Sequence, residues 1–321
     1  MRDIRREPIL TDTYETVAQF LPAEGSAYIY RVSGENRSSH TSQWRSQCRN
    51  VQFIEIESET PAGFRVKGDD RDYFLRGAAS LLTLMQPLGA GRVVYIDITG
   101  LSHPTWAAIV RGAVASRVEL RVVYVEPNRY TRSGAPLEGQ IYDLSSRIAG
   151  IAPMPGFATI TDTDDSLFVP LLGFEGARFR HVIEHVQPTQ GGVVPIIGLP
   201  GFKPWYVFET YIGNRTALTE TDAWQRVMYA PANCPFSCFY LLRRLAEMNP
   251  MALLKVAMIG TKPHALGAVM FALTSSDRIE LIYDNPIRKD GRTDGSDRLL
   301  VYHVGAITSG SAPANSNNTN R

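Results

Sequence analysis

Two stretches of this 321-residue chain resemble each other, and this repeat limits the fold more than any other feature. Residues 93–129 and 254–288 each read as a strand, a glycine turn, an alanine-rich helix and a second strand. Gly100 aligns with Gly260, and a Tyr-x-x-Pro-x-Arg motif closes both stretches. The alternative is that the stretches are alike only because any two strand–helix–strand units look broadly alike. This alternative does not explain the shared closing motif. The repeat therefore predicts an internal duplication.

Short β-rich runs alternate with helical patterns along most of the chain, which is typical of parallel α/β architecture. The predicted fold class is α/β, with two tandem Rossmann-like three-layer halves, related by a pseudo-two-fold duplication, and mostly parallel sheets. The halves are expected to span residues 1–150 and 151–308. A helix is predicted over 71–85. Residues 309–321 are small and polar, so they cannot offset their ordering entropy and are expected to be a disordered tail.

Composition limits how partners could be bound and indicates a compartment. The formal net charge is only +1, so nucleic acid or anionic lipid would have to be bound by a local patch. Three cysteines form too sparse a set for a disulfide framework and favour a reducing compartment. The charged N-terminus does not read as a signal peptide, and no apolar run approaches the roughly 20 residues of a membrane span. We therefore expect a cytoplasmic protein without membrane contact.

The repeat glycines mark the candidate binding loops. In an open parallel sheet, ligands bind beyond the carboxyl ends of the strands, where glycine lets the backbone come close. A helix N-terminus follows each glycine and favours phosphate or another anion. Neither loop is a Walker A or GxGxxG loop. The alternative is that both are tight turns with ordinary caps. The candidate ligand-binding residues of these loops are Gly260, Thr261, Lys262, Pro263, His264, Gly100, Ser102 and His103.

Charged residues are predicted at the same edge of the sheets. Acidic and basic residues follow the first strand of each half, and they are either local ion pairs of little worth or groups placed around a shared cleft. Arginines after the last repeat strands are suited to binding phosphate with two hydrogen bonds, although a solvated surface is the preferred explanation for each arginine taken alone. The candidate residues of this edge are Glu35, Arg37, Glu175, Arg178, Arg129 and Arg288, with Arg132 and Arg292 beside them.

The second repeat carries a family resemblance. Its segment VAMIGTKPHALGAVMFAL…IELIYDNP is similar to the Gly-Thr-Lys-Pro loop and helix of CARF-type sensor domains. These are Rossmann-like domains of prokaryotic immune systems that bind cyclic oligonucleotides, and two such halves in one chain resemble the SAVED arrangement. The resemblance implies ligand contact over 260–263, with 100–103 as the second candidate. The first loop departs from the pattern because it lacks Thr-Lys-Pro. Because no effector domain is attached, the resemblance implies a separately encoded effector such as a nuclease, protease or ATPase.

Motifs for catalysis or metal binding are weak. The segment 181–185 matches H-x-x-E-H, but no third zinc ligand is indicated and neighbouring arginines would repel a cation. Cys234 and Cys238 form CxxxC and are expected to pack as small hydrophobes. Asp162, Asp164 and Asp165 read as a solvated loop or, alternatively, as a magnesium site. No nucleophile elbow is present. We therefore assign no catalytic residue, no metal and no cofactor.

A run of aromatic and aliphatic residues follows Pro204 at near-helical spacing. Trp205, Phe208, Tyr211 and Ile212 are expected to pack in the core, the alternative being a partner-binding face if they are exposed.

Three functions follow from these observations. The first is a nucleotide-sensing module of an antiviral defence system, which takes a cyclic oligonucleotide-like second messenger and acts on a separate effector. The second is a ligand-free adaptor or scaffold subunit of a multi-protein defence complex. The third is an enzyme acting on nucleotides or nucleic acid through carboxylates such as Asp97. A homo-oligomer is compatible with all three.

Overall fold

A computed structural model describes residues 10–137, 140–159, 165–275 and 277–308. The α-helices are α1 Thr41–Trp44, α2 Ala78–Met85, α3 His103–Ala115, α4 Gly176–Val186, α5 Tyr206–Glu220, α6 Pro235–Met248, α7 Lys262–Thr274 and α8 Gly305–Thr308. The strands are β1 Thr11–Tyr14, β2 Ala27–Tyr30, β3 Gln52–Glu59, β4 Gly63–Val66, β5 Asp72–Phe74, β6 Val93–Asp97, β7 Glu119–Val125, β8 Arg129–Tyr130, β9 Arg132–Leu137, β10 Gln140–Tyr142, β11 Ser145–Ile148, β12 Ala152–Pro153, β13 Ser166–Leu171, β14 Ile196–Gly198, β15 Met228–Ala230, β16 Leu253–Met258, β17 Ile279–Tyr283, β18 Pro286–Arg288, β19 Thr293–Asp294 and β20 Leu299–Tyr302.

Two large sheets organise the chain. The eight-stranded sheet has the order β1-β20-β7-β6-β2-β3-β4-β5, and its central strands β7, β6, β2 and β3 run parallel. The six-stranded sheet has the order β12-β17-β16-β13-β14-β15, in which all strands but β12 run parallel. The four parallel strands β17-β16-β13-β14 repeat the order β7-β6-β2-β3. The predicted mixed α/β fold with parallel sheets is confirmed.

The central strands are buried on both faces, which explains why they read as continuous apolar runs in the sequence. Helix α3 follows β6, helix α7 follows β16, and the two helices contact each other. The buried apolar side chains within both helices, including Trp106 and Phe271, belong to one cluster that also contains strand residues of both sheets. The α3–α7 contact therefore brings the two sheets together at the ends of β6 and β16.

Local structure departs from the sequence prediction at two places. The helix predicted over 71–85 begins only at Ala78, because 72–74 pairs as strand β5 with β4 and buries Tyr73 between exposed neighbours. The closing strand β20 pairs with β7 of the first sheet, although it lies within the predicted second half. The division at residue 150 stays a prediction. Asp162, Asp164 and the predicted tail 309–321 lie outside the described residues.

Three of the four residues predicted to pack in the core around the start of α5 are exposed, contrary to the prediction, whereas Tyr211 is partly buried and packs against a core cluster. Trp205 and Ile212 are about half exposed and Phe208 is 67% exposed, whereas Tyr206 and Val207 on the opposite side are buried. The spacing alone could not show which face of the helix packs inward. Among the helices of the described residues, none is both long enough and apolar enough to cross a membrane.

Candidate anion-binding site

The loops that precede α3 and α7 begin their helices in the same way. The Ser102 hydroxyl oxygen accepts a hydrogen bond from the backbone N–H of Thr105, and the Thr261 hydroxyl oxygen accepts one from that of His264, both at 3.4 Å. A proline follows at the second helical position in each case, where its missing N–H costs nothing. The caps therefore align His103 with Lys262, and the first loop is one residue longer between its glycine and its cap.

Both repeat glycines allow the loops to pass over a neighbouring strand. A Cβ atom on Gly100 would lie 1.9 Å from the carbonyl oxygen of Arg31, directly after β2. A Cβ atom on Gly260 would lie 2.8 Å from the carbonyl oxygens of Leu171 and Leu172, at the end of β13. The sequence predicts that these glycines let a ligand come close to the backbone. In the structure the close neighbour of each is the backbone of the adjacent strand, because loop and strand cross without space for a side chain.

Lys262 ties the second repeat to the first. Its ammonium donates hydrogen bonds to the carbonyl oxygens of Ile98, Thr99 and Leu101, the latter two at 2.7 Å, and only 5% of the residue is exposed. Burial and the nearby Arg288 lower the pKa of Lys262. Three carbonyl acceptors nevertheless require three N–H donors, which only the ammonium form supplies. The ammonium thus holds the loop before α3, and its hydrogen atoms are directed at that loop.

His103 occupies the equivalent position and is used differently. Its ring stacks on Tyr283, the last residue of β17, with ring centroids 4.8 Å apart. The residue is 6% exposed, and neither ring nitrogen has a hydrogen-bond partner within the described part of the chain. Burial, followed by the charges of Lys262 and Arg288, lowers the pKa of His103 well below its usual value, so the imidazole is neutral. Buried polar groups normally have partners, so this imidazole points to a missing one.

A cavity of about 50 Å³ lies between the two loops, and we call it the junction cavity. Its lining combines a histidine, three tyrosines and five cationic side chains. The residues are Arg37, His103, Tyr124, Tyr130, Ser145, Arg178, Gly260, Thr261, Lys262, Tyr283, Pro286, Arg288 and Arg292. Among the described residues, three carboxylates pair with these cations, namely Glu35, Glu175 and Asp284. Positive charge is therefore in excess at the junction.

Glu35 acts as a counter-ion within this cluster. One of its oxygens accepts hydrogen bonds from Arg292 Nε and Nη2 at 2.8 and 2.6 Å, and the other accepts from Arg37 Nε at 2.7 Å. Burial raises the pKa of Glu35, but the arginines outweigh burial and hold it well below its usual range. Both carboxylate oxygens of Glu35 already accept hydrogen bonds, so Glu35 orients Arg37 and Arg292. The arginines, and not Glu35, are then the groups that line the cavity.

Arg37 and Arg178 make equivalent connections in the two halves. Arg37 Nη1 donates to the Tyr124 hydroxyl and to the Val125 carbonyl, at the end of β7. Arg178 donates two hydrogen bonds of 2.7 Å to the buried carboxylate of Asp284, which directly follows β17. Arg37 thus links the segment after β2 to the end of β7. Arg178 links the segment after β13 to the end of β17 in the same way.

Arg288 is the cation with the fewest constraints. Among the described residues, none forms a hydrogen bond or ion pair with its guanidinium, and the side chain is half-buried. It lines both the junction cavity and an open cleft of about 690 Å³ that reaches Glu35, Gly100 and Ser102. This volume lies within the range of small-molecule sites. Arg288 therefore stands where a ligand in the cleft would enter the cavity.

A second, aromatic compartment adjoins the junction cavity. It has a volume of about 90 Å³ and is walled by Tyr130, Phe174, Phe202 and Tyr206. Tyr130, Arg178, Gly260, Thr261 and Arg292 line both spaces. A cationic space thus borders an aromatic one.

The structure gathers seven of the predicted residues at the junction cavity, and they are Arg37, His103, Arg178, Gly260, Thr261, Lys262 and Arg288. Glu35, Gly100 and Ser102 line the adjacent cleft. Glu175 lines the aromatic compartment, and the remaining three lie elsewhere. Arg129 is exposed and pairs with Asp294, and Glu175 accepts hydrogen bonds from the backbone N–H groups of Leu144 and Ser145. Pro263 lies buried in the first turn of α7, and His264 pairs through Nε2 with the Pro231 carbonyl.

The tyrosines of the site were not predicted. Tyr124 and Tyr283 are the tyrosines of the repeated Tyr-x-x-Pro-x-Arg motif, so the repeat itself carried a signal for them. Tyr130 lies outside the repeat, as does Arg292, which the sequence nevertheless places beside the candidate arginines of this edge. Arg292 joins the site through Glu35, which lies 257 positions away in the chain, a pairing that no local pattern indicates.

Residues considered for catalysis or metal binding lie outside this site. Asp97 is buried, accepts hydrogen bonds from the Thr99 N–H and the Tyr28 hydroxyl, and lies 3.0 Å from His40 Nε2. Within the described ranges, no group of three histidine, cysteine or carboxylate side chains is arranged to hold a metal ion. His181 is half-exposed on the surface of α4.

Comparisons with known proteins assign the chain to no family. No family model matches it, and the search of curated proteins returns no match. Among solved structures, a ketoreductase domain from the bacillaene assembly line overlaps 83% of this chain and 68% of its own, at 9% identity and a TM-score of 0.22. An overlap of this quality carries no argument about fold or function.

Proposed function

We propose that the chain is a nucleotide-sensing module whose ligand, of the cyclic oligonucleotide class, binds at the junction cavity and the adjoining cleft. In this proposal it serves an antiviral defence system and acts on a separately encoded effector. One observation carries the proposal: the buried imidazole of His103 has no partner among the described residues, and it faces a cavity with an excess of cationic side chains. A phosphodiester would supply the missing partner and the balancing charge.

The roles within the site follow from the contacts. Arg288 lacks a carboxylate partner in the described structure, so its guanidinium is free to bind a phosphate oxygen with two hydrogen bonds. His103 is neutral before the ligand binds, and its imidazole contributes a hydrogen-bond donor to a phosphate oxygen. Lys262 holds the first loop and adds charge, while Glu35 orients Arg37 and Arg292.

Signalling is supported by the position of the cavity between the repeats. His103 belongs to the first repeat, whereas Thr261 and Arg288 belong to the second. A ligand that contacts all three favours one relative placement of the two sheets, and such a difference in affinity between two placements is what regulation requires.

Duplication of an ancestral half is part of the same proposal. Support comes from the shared strand order, the equivalent caps, the two glycines over neighbouring strands, and the paired roles of Arg37 and Arg178. A duplicated ligand site in which one lysine has become a histidine would explain the unequal loops.

Calorimetric titration tests the binding proposal. The panel contains cyclic di-AMP, cyclic di-GMP, cyclic di-UMP, cyclic tri-AMP and inorganic pyrophosphate. We expect at least one cyclic nucleotide to bind, with affinity reduced tenfold or more in His103→Leu and in Arg288→Gln. Arg129→Gln is the matched control, because Arg129 pairs with Asp294 at the surface. The absence of binding across the panel, or equal binding by all variants, would contradict the proposal.

A ligand-free adaptor is the second candidate, and the exposed apolar face of α5 favours it. Trp205, Phe208 and Ile212 present large side chains to solvent on one face of this helix. This function predicts a stable stoichiometric complex with a partner protein that is lost in Phe208→Asp and unchanged in His103→Leu. Co-purification followed by mass measurement of the complex distinguishes it from the sensor.

A further inference from the structure

We infer that the aromatic compartment beside the junction cavity is a subsite for one single-ring, pyrimidine-type base of the ligand. This inference rests on the proposed function and adds the base class. The compartment is the space of about 90 Å³ walled by Tyr130, Phe174, Phe202 and Tyr206.

The rings of the compartment are fixed by one another. Phe174 meets Tyr130 and Tyr206 edge to face, with centroids 5.4 and 5.0 Å apart. Tyr142 stacks on Phe174 at 4.4 Å and 25°. Tyr142 is itself held by its hydroxyl, which donates to Glu209 at 2.6 Å. Rings held in this way lose little freedom when another ring stacks on them, so they offer a prepared surface for a planar base.

The chemistry of the walls separates base from phosphate. Aromatic faces stack on any base without needing charge. Arg178 and Arg292 stand on the border between the aromatic compartment and the junction cavity. A nucleotide therefore fits with its base among the rings and its phosphate toward His103 and Arg288, and the two arginines lie between the two groups.

The size of the compartment selects among bases. A cavity of roughly 150 Å³ holds a benzene ring in a protein core. The aromatic compartment is smaller, at about 90 Å³, and it adjoins the junction cavity of about 50 Å³. A single ring suits a compartment of this size, whereas the second ring of a purine would extend into the junction cavity, where the phosphate is placed. The geometry thus favours uracil or cytosine over adenine or guanine.

Binding measurements with three probes test the subsite. Cyclic di-UMP, cyclic di-AMP and inorganic pyrophosphate are titrated calorimetrically into the full chain. We expect cyclic di-UMP to bind at least tenfold more tightly than cyclic di-AMP. Because stacking contributes about 1–3 kcal/mol per base, Phe174→Leu should weaken cyclic di-UMP tenfold or more and leave pyrophosphate unchanged.

Two further variants serve as controls. Phe174→Tyr keeps the ring and should keep the affinity for cyclic di-UMP. Tyr240→Leu removes an exposed aromatic side chain on α6, away from both cavities, and should change nothing. The comparison of the two cyclic dinucleotides on the unaltered chain needs no variant, so it decides the matter even if Phe174→Leu fails to fold.

The outcomes separate this inference from the proposed function. Pyrophosphate binding that depends on His103, together with equal or tighter binding of cyclic di-AMP, overturns the pyrimidine subsite alone. Equal loss of pyrophosphate and cyclic di-UMP in Phe174→Leu also overturns it, because Phe174 would then act on the whole site. No binding of any probe overturns the proposed function and the subsite together.

Discussion

The two loops that begin α3 and α7 share a glycine, a hydroxyl cap and a proline, yet they differ at the first helical residue. Lys262 directs its ammonium at three carbonyl oxygens of the other loop, whereas His103 stacks on Tyr283 and leaves both nitrogen atoms without a partner in the described structure. The same backbone position therefore holds the repeats together in one loop and faces a cavity in the other. Similar sequences at equivalent positions do not guarantee equivalent roles.

The largest effect that would test this comparison is on stability. Lys262→Met leaves three carbonyl oxygens without their charged donor, so we expect the free energy of unfolding to fall by about 3–5 kcal/mol. His103→Leu removes a group with no hydrogen bonds, so it should change that free energy by less than about 1 kcal/mol. Urea denaturation of both variants measures the difference. Similar losses in the two would show that the loops are held in the same way.

The glycines test whether the loops cross their neighbouring strands equally closely. Gly100→Ala should destabilise by about 3 kcal/mol, the upper part of the range for overpacking, because its Cβ atom would lie 1.9 Å from a backbone oxygen. At Gly260 the distance is 2.8 Å, so Gly260→Ala should cost less, about 1–2 kcal/mol. Gly34→Ala is the control, since no atom lies within 4 Å of its Cβ position. A reversed order of the two losses would refute the packing explanation.

The free energy of unfolding should depend on pH through His264, which is buried in the first turn of α7. Burial lowers the pKa of His264 to about 4, whereas an unfolded histidine titrates near 6.5. The unfolded chain therefore takes up the proton first as the pH falls, and stability that is complete above pH 6.5 is lost toward pH 4. At pH 5 the loss from this residue should be roughly 2 kcal/mol. Denaturation curves of His264→Gln between pH 7 and 5 should show a correspondingly smaller decline; an unchanged decline would assign it to other groups.

The smallest expected effect concerns ligand affinity. The pKa of His103 is lowered by burial and by Lys262 and Arg288, and a bound phosphodiester would raise it again. Binding is then linked to proton uptake, so the affinity for cyclic di-UMP should rise as the pH is lowered from 8 to 6. The phosphodiester keeps its charge over this range. In His103→Leu this pH dependence should vanish, and its persistence would mean that another group takes up the proton.

The sequence predicted the α/β fold and most of the site through its repeat. The glycine loops, Arg37, Arg178 and Arg288 were found because the same residue types recur at matching places. The features that the sequence did not predict depend on contacts between distant segments of the chain. The partners of Lys262 lie more than 160 positions away, and the strand at 72–74 forms only because β4 lies beside it. Spacing shows that a helix has an apolar face, but the exposure of Trp205 and Phe208 depends on what packs against α5.

The most direct measurement of the central claim is nitrogen NMR of the histidine rings while inorganic pyrophosphate is added at pH 7. The His103 signals are assigned by their absence in His103→Leu. The account predicts that these signals move toward those of a protonated or hydrogen-bonded imidazole as the site fills, while the signals of His264 stay in place. Pyrophosphate binding that leaves the His103 signals unmoved would contradict it.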